Sequence, residues 1–477
     1  MKEFDLNKAQ NYWFHAISQI PHPSRHEKQI SDFIVDFAKK RNLYYKQDEV
    51  FNVIVEKEAT PGYESAAPLI LQAHIDMVPA KINGSNHVFE TDPLKLYVDA
   101  EGWLHADGTT LGADDGVGVA CMLAILDDDT LEHPYLQCYF TTMEEIGLLG
   151  AMELKKEDVK GSRMINLDGG GENVTVVSSA GGCNVYVHQK KEKVRNDSPT
   201  YRIHVSGLSG GHSAGNIHLE KGNAIVIATR LIKEMEAKGI GTKLVSLEGG
   251  EKDNAIPREA TLVFASDAEK NAIQESVRKS EEEIFTELEF SDREVKIALE
   301  ETETAAEVLE NAPILDFIYL MPNGFQHRSM ALEGLTQTSL NLGVAEDKEE
   351  EILLDILIRS SVQSALDDLV LRLRKLSKVL NVDLQRGMSY AGWNYEAESG
   401  LREHFKEVLK KHERELVEVA THGGLECGVF KALNPKMDIM SLGPNAYGCH
   451  TPEEKLDLDS FDFFYGLLKE LVSSCKD

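Results

Sequence analysis

Residues Ala67–Met77, APLILQAHIDM, decide how the rest of the chain is read. Leu69–Leu71 is a short apolar run between Pro68 and Pro79, which predicts a buried parallel strand. Side chains alternate along a strand, so His74 and Asp76 are expected on one face. An imidazole and a carboxylate so placed suit a metal ligand and the acid that holds its ring in one tautomer. Taken alone, the pair also fits an ordinary core histidine beside an acid at a strand end.

The segments on either side separate these two readings. Residues 110–128, TLGADDGVGVACMLAILDD, put Asp114 and Asp115 before a helix expected to begin near Gly116 and to bury Val119, Met122, Leu123 and Leu126. Helix N-termini favour acids, so a cap alone would account for Asp114. Leu136–Thr142, LQCYFTT, reads as a second buried strand running into Glu144 and Glu145. Arg163–Leu167, RMINL, is a third, ending at Asp168 before three glycines. Asp438–Leu442, DIMSL, is a last one, followed by a loop that carries His450. Singly these are turn or solvated residues. Together they set His74, Glu144, Glu145 and Asp168 at the carboxyl ends of apolar strands, with Asp114 opening a helix between two of them. Strands alternating with helices imply a mainly parallel α/β sheet flanked by helices. Such sheets place their ligands outside the carboxyl ends of the strands.

At 477 residues the chain calls for two or three domains. Its character changes near Asn184 and returns after about Gly387. The expected organisation is a first catalytic part over 1–185, an α+β insertion over 186–388 and a second catalytic part over 389–477. The formal charge of -30 argues against nucleic acid as a partner. Six scattered cysteines without a C-x-x-C pair indicate free thiols in a reducing compartment. The N-terminal segment lacks the pattern of a signal peptide, and no apolar run approaches 18 residues. A cytoplasmic protein without a membrane partner is expected. The insertion carries GLSGGHS at 207–213, with His212, but not the Lys-Ser/Thr that ends a phosphate-binding loop.

His74, Asp114, Glu145, Asp168 and His450 could hold two divalent ions, with one carboxylate bridging. Mixed imidazole and carboxylate donors suit zinc best, and also manganese or cobalt. Two ions about 3.5–4 Å apart activate a water and polarise a carbonyl. Glu144, beside a ligand, could take that water's proton and pass it to a leaving amine. Cys427 and Cys449, near His422 and His450 in sequence, would leave the carboxylate set unexplained if either were the nucleophile.

The motifs QAHIDMV, LGADDGVGVA, TTMEEIGLLGA, INLDGG, GLSGGHSAGNIH, NAIP, LIRSS, HGGLECGVF and GPNAYGCHTPEE run in this order from residue 72 to 454. In them the chain resembles the dinuclear zinc peptidases, and within that family the aminoacyl-histidine, or cytosol non-specific, dipeptidase branch. The resemblance implies a zinc-exopeptidase-like catalytic domain with an inserted lid or dimerisation domain. It implies that His74 and Asp168 bind one zinc, Glu145 and His450 the other, and that Asp114 bridges them. Asp76 would orient His74, Glu144 would be the general base, and His212 would stabilise the tetrahedral oxyanion. Asn254 and Arg359 would hold the substrate's terminal carboxylate. A cis peptide after the bridging acid and a possible homodimer are implied as well. One position departs from the branch pattern, which has Asn where this chain has Asp115; the bridging role is still expected at Asp114, which aligns with the family's ligand position. Short peptides, including Xaa-His dipeptides of the carnosine type, are the implied substrates. A deacylase of N-acyl amino acids, or a relative that binds metal without catalysis, would share most of these motifs.

Overall fold

Six consecutive buried residues, Leu69–His74, form the central strand of an eight-stranded sheet in a computed structural model that describes residues 4–477. This strand pairs in parallel with Leu136–Thr141 on one side and Arg163–Asn166 on the other. Asp438–Ser441 extends the parallel block beyond Arg163–Asn166. All four therefore point their carboxyl ends the same way, as continuous apolar runs covered on both faces should. The outer strands Val53–Lys57 and Tyr44–Gln47 pair antiparallel, so the sheet is mixed.

Helices Ala9–Ser18, Lys28–Lys40, Ala113–Asp127, Gly400–Lys411 and Leu458–Ser474 supply the apolar residues that cover the sheet. Ala113–Asp127 buries nearly every side chain, including Val119, Met122 and Leu123. The other helices bury one stripe each, such as Ile30, Ile34 and Phe37 in Lys28–Lys40.

These elements belong to a first compact unit, which runs to Ser179 and resumes over Trp393–Ala420 and Leu425–Asp477. The second unit is Ala180–Gly392 together with Thr421–Gly424. The sequence boundaries at 186 and 388 fall inside the strands Gly181–Lys190 and Asp383–Tyr390, which are hydrogen-bonded to each other. The second unit therefore extends to the ends of both strands, and it also takes in four residues expected in the catalytic part. It contains a nine-stranded sheet in which Glu351–Ser360 pairs antiparallel with Thr336–Asp347 on one side and Gly181–Lys190 on the other. Helices Ala224–Ala237, Lys270–Leu288, Pro313–Leu320 and Gln363–Leu380 share its apolar core. No helix among the described residues is long and apolar enough to cross a membrane.

Candidate metal centre

His74 is the last residue of its strand, and its Nε2 lies 3.0 Å from Asp114 Oδ1. The other oxygen of Asp114, Oδ2, lies 3.1 Å from His450 Nε2. That same nitrogen is 3.0 Å from Glu145 Oε2. Asp114 thus turns its two oxygens toward two different histidines, the arrangement a bridging carboxylate needs. His74, Asp114 and Glu145 each offer a ligand atom within 4.8 Å of the others. His450 joins them through Asp114 and Glu145, and its side chain is half exposed.

The charge balance fits cations. Glu145 Oε1 is buried without a hydrogen-bond partner among the described residues. Burial, then the charges of Glu426, Glu145 and Asp114, raise the Glu144 carboxyl well above the usual range. Burial and Asp114 do the same to Asp168. Hydrogen bonding to Asp114 and Glu145 pushes His450 up to about 10. Acids repelling one another in a desolvated pocket, with an orphaned carboxylate oxygen, are what a divalent cation would relieve.

The two adjacent acids have separate surroundings. Asp115 is buried, and its Oδ1 accepts the Gly118 N–H at 3.1 Å, capping the helix. Backbone angles at Asp114 and Asp115 are non-helical, so the regular helix starts at Gly116, and the peptide bond between the acids is cis. A Cβ at position 118 would lie 2.5 Å from Asp115 Oδ1 and 2.9 Å from the Ala73 Cβ, so only glycine lets the capped helix approach the strand.

Asp76 differs from its expected placement. The strand ends at His74, and Asp76 lies beyond it. His74 Nδ1 is 3.0 Å from the Asp76 main-chain oxygen but 3.6 Å from the carboxylate, too far for a hydrogen bond. The Asp76 carboxylate instead accepts the backbone N–H groups of Glu144, at 3.0 Å, and Glu145, at 3.3 Å, and the Ser24 hydroxyl. Burial opposes its charge, yet His74 and these donors hold its carboxyl below the usual range. Asp76 thus hydrogen-bonds the histidine through its backbone and the acid pair through its side chain, with its carboxylate 3.6 Å from the ring.

Glu454, which sequence reasoning passed over, fixes the other acid. Its buried carboxylate accepts the N–H groups of Leu111, Gly112, Ala113 and Asp114 at 2.7–3.3 Å. It ties the loop of His450 to the loop of Asp114. The only sequence signal was its place in the HTPEE motif.

The second unit brings His212 and Asn254 together, with Arg359 next to them through Ser213, whose N–H donates to the Asn254 carbonyl at 2.8 Å. His212 and Asn254 line one cavity of about 520 Å³, and Arg359 does not line it. His212 Nδ1 accepts the Ala214 N–H at 3.1 Å, so in the neutral ring the proton sits on Nε2, ready to donate. Burial and the charge of Arg359 lower its pKa and favour that neutral ring. Arg359 is buried and donates to the Tyr390 hydroxyl at 3.0 Å and to Ser213 Oγ at 3.4 Å. Its neighbour across the strand pair is Ser339, whose hydroxyl lies 2.7 Å from His422 Nε2. No ion pair to Arg359 is formed among the described residues.

Residues 70–474 match the family model of peptidase family M20/M25/M40. The chain is 35% identical to the cytosol non-specific dipeptidase of Escherichia coli (strain K12) over 481 residues, with 99% of each chain covered. The crystal structure of an aminoacylhistidine dipeptidase from Vibrio alginolyticus superposes with a TM-score of 0.88 at 33% identity, covering 97% of this chain and 96% of that one. An aminopeptidase PepT from Bacillus cereus shares the fold at a TM-score of 0.58 and 15% identity, with 98% of each chain covered.

Proposed function

Since the chain belongs to peptidase family M20/M25/M40, we propose that it hydrolyses dipeptides with the help of two divalent ions, zinc being the best match to its donors. His74 and Asp168 would hold one ion, Glu145 and His450 the other, and Asp114 both. Bound there, the ions would supply an acidified water and a polarised scissile carbonyl.

The chain's own groups do the rest. Glu144 takes the water's proton and delivers it to the leaving amine, a transfer favoured by a carboxyl whose pKa burial has raised. Asp76 holds the Glu144 and Glu145 backbone in place while it does so. The Nε2–H of His212 donates to the oxygen that gains charge in the tetrahedral intermediate. Arg359 and Asn254 hold the substrate's terminal carboxylate, which limits substrates to those whose chain ends one residue past the scissile bond. Xaa-His dipeptides fall within this class, as the names of the two closely similar relatives suggest. Cytoplasmic location and a homodimer belong to the same proposal.

The orientation of Asp114, one oxygen toward each histidine, carries this reading. The test is hydrolysis of β-Ala-His, Gly-Leu and N-acetyl amino acids before and after chelation and zinc return, with Glu144→Ala alongside. Dipeptide cleavage that needs metal, and that falls by a factor of about 10²–10⁴ in the variant while both ions stay bound, is expected. Cleavage indifferent to chelation overturns the two-ion reading. Release of acetate without dipeptide cleavage replaces it with a deacylase.

A further inference from the structure

Beneath the strand ends lies a buried polar layer that the mechanism above leaves unused. Gln72 precedes His74 by two residues, Asn166 precedes Asp168 by two, and Thr141 precedes Glu144 by three. Gln72 stands opposite Asn166 in the sheet, and His74 opposite Thr141. All three of these polar residues are inaccessible to solvent. One side chain gathers them. Glu426, which caps the helix Cys427–Leu433, accepts the Thr141 hydroxyl at 2.7 Å and a close hydrogen bond from Gln72 Nε2. The carbonyl oxygen of Gln72 in turn accepts from Asn166 Nδ2 at 2.6 Å. Glu426 thereby reaches all three strands whose ends carry His74, Glu144 and Asp168.

This carboxylate is 1% exposed, and its Oε1 has no partner among the described residues. The titratable groups that interact most strongly with it include His74, Asp76, Glu144, Asp115 and Cys427. Only His74 among them can carry positive charge, and a histidine gives up that charge when it ligates an ion. Two neutral donors do not repay the burial of a carboxylate. Burial raises the Glu426 carboxyl to about 7. The positive charge that would repay it is that of cations held directly above.

We propose that Glu426 is a positioning residue of the metal centre, an anion one layer below the ligands that fixes the three strand ends and strengthens their hold on divalent ions. This role rests on the metal-centre reading, and its test separates the two. Zinc is titrated calorimetrically into the metal-free full-length protein and into Glu426→Gln, which keeps size and an acceptor oxygen but removes the charge. The variant is expected to bind zinc at least tenfold more weakly, while the melting temperature of the metal-free protein holds or rises because a buried charge is gone. Equal zinc affinity in the two proteins overturns the role, whatever happens to the melting temperature. Should Glu426→Gln fail to fold, Thr141→Val removes one hydrogen bond and leaves the charge. A several-fold loss of zinc affinity is then expected, and no loss overturns the role. A wild-type chain that takes up no divalent ion overturns the centre and the role together. Uptake without dipeptide cleavage overturns the proposed reaction and leaves the affinity comparison standing.

Discussion

The two units leave charge unbalanced in opposite senses. The first gathers Asp114, Glu144, Glu145 and Asp168, and the cationic group they interact with most strongly among the described residues is histidine. The second buries Arg359 among Tyr390, Ser213 and the strand that carries Ser339, with no carboxylate paired to it among the described residues. A buried charge without its counter-ion is costly, so each imbalance identifies what the unit is built to receive. The first is shaped for cations and the second for an anion. The protonation of nearby histidines follows the same division. Acids push His450 up to about 10, whereas burial and then Arg359 push His422 down to about 3.

The sharpest way to break this contrast is inside the acid cluster. Asp114→Asn removes the charge between the two histidines, and loss of at least one ion with near-complete loss of dipeptide cleavage is expected. Asp115→Asn keeps an acceptor for the Gly118 N–H and should retain both ions, with activity within about threefold, since its own surroundings favour a neutral side chain. Metal analysis of the two purified variants checks the pair. Equal losses would return the bridging role to an open choice between the two acids.

On the cationic side, Arg359→Met is expected to raise KM for dipeptides roughly ten- to a hundredfold, the worth of a charged hydrogen bond. Because the charge it removes is unpaired in the free protein, the melting temperature should stay level or rise. A fall in stability with KM unchanged would make Arg359 a structural residue.

The smallest effect concerns pH. The pKa of His422 is depressed in the folded chain relative to about 6.5, so the neutral ring is the one that folding favours. Its contribution to stability is complete above about pH 6.5 and is lost as the pH falls toward 3. Between pH 6.5 and 5 the loss approaches about 2 kcal/mol. Urea unfolding at the two pH values should show it in the wild type and a smaller loss in His422→Asn.

The parts of the centre that could be read from sequence were those written locally. Apolar runs ending in His74, Glu144 and Asp168 show a strand and its terminus within a few residues, and the apolar stripe after Gly116 shows where the helix starts. Glu454 and Glu426 carried no such local signal. Each is an ordinary acid in a loop or at a helix cap, and its meaning comes from partners more than 280 residues away. The doubt between Asp114 and Asp115 had the same origin. Adjacent residues share a local sequence, and only the backbone turn between them decides which one caps the helix. The boundaries of the insertion were hidden because Gly181–Lys190 mixes glycine, histidine and glutamine with its apolar residues, and so lacks the plain run that marked the strands of the first unit.

The four residues Thr421–Gly424 have a consequence for any attempt to cut or graft this protein. They belong to the second unit, yet lie 28 residues beyond Trp393, where the first unit resumes. An excised segment 180–392 would carry Ser339 without the histidine that partners its hydroxyl. A chimera that exchanged the same segment would seat the incoming serine against whatever residue the host has at 422. The second unit is continuous in space and interrupted in the gene, so recombination at its two obvious borders would inherit it incomplete.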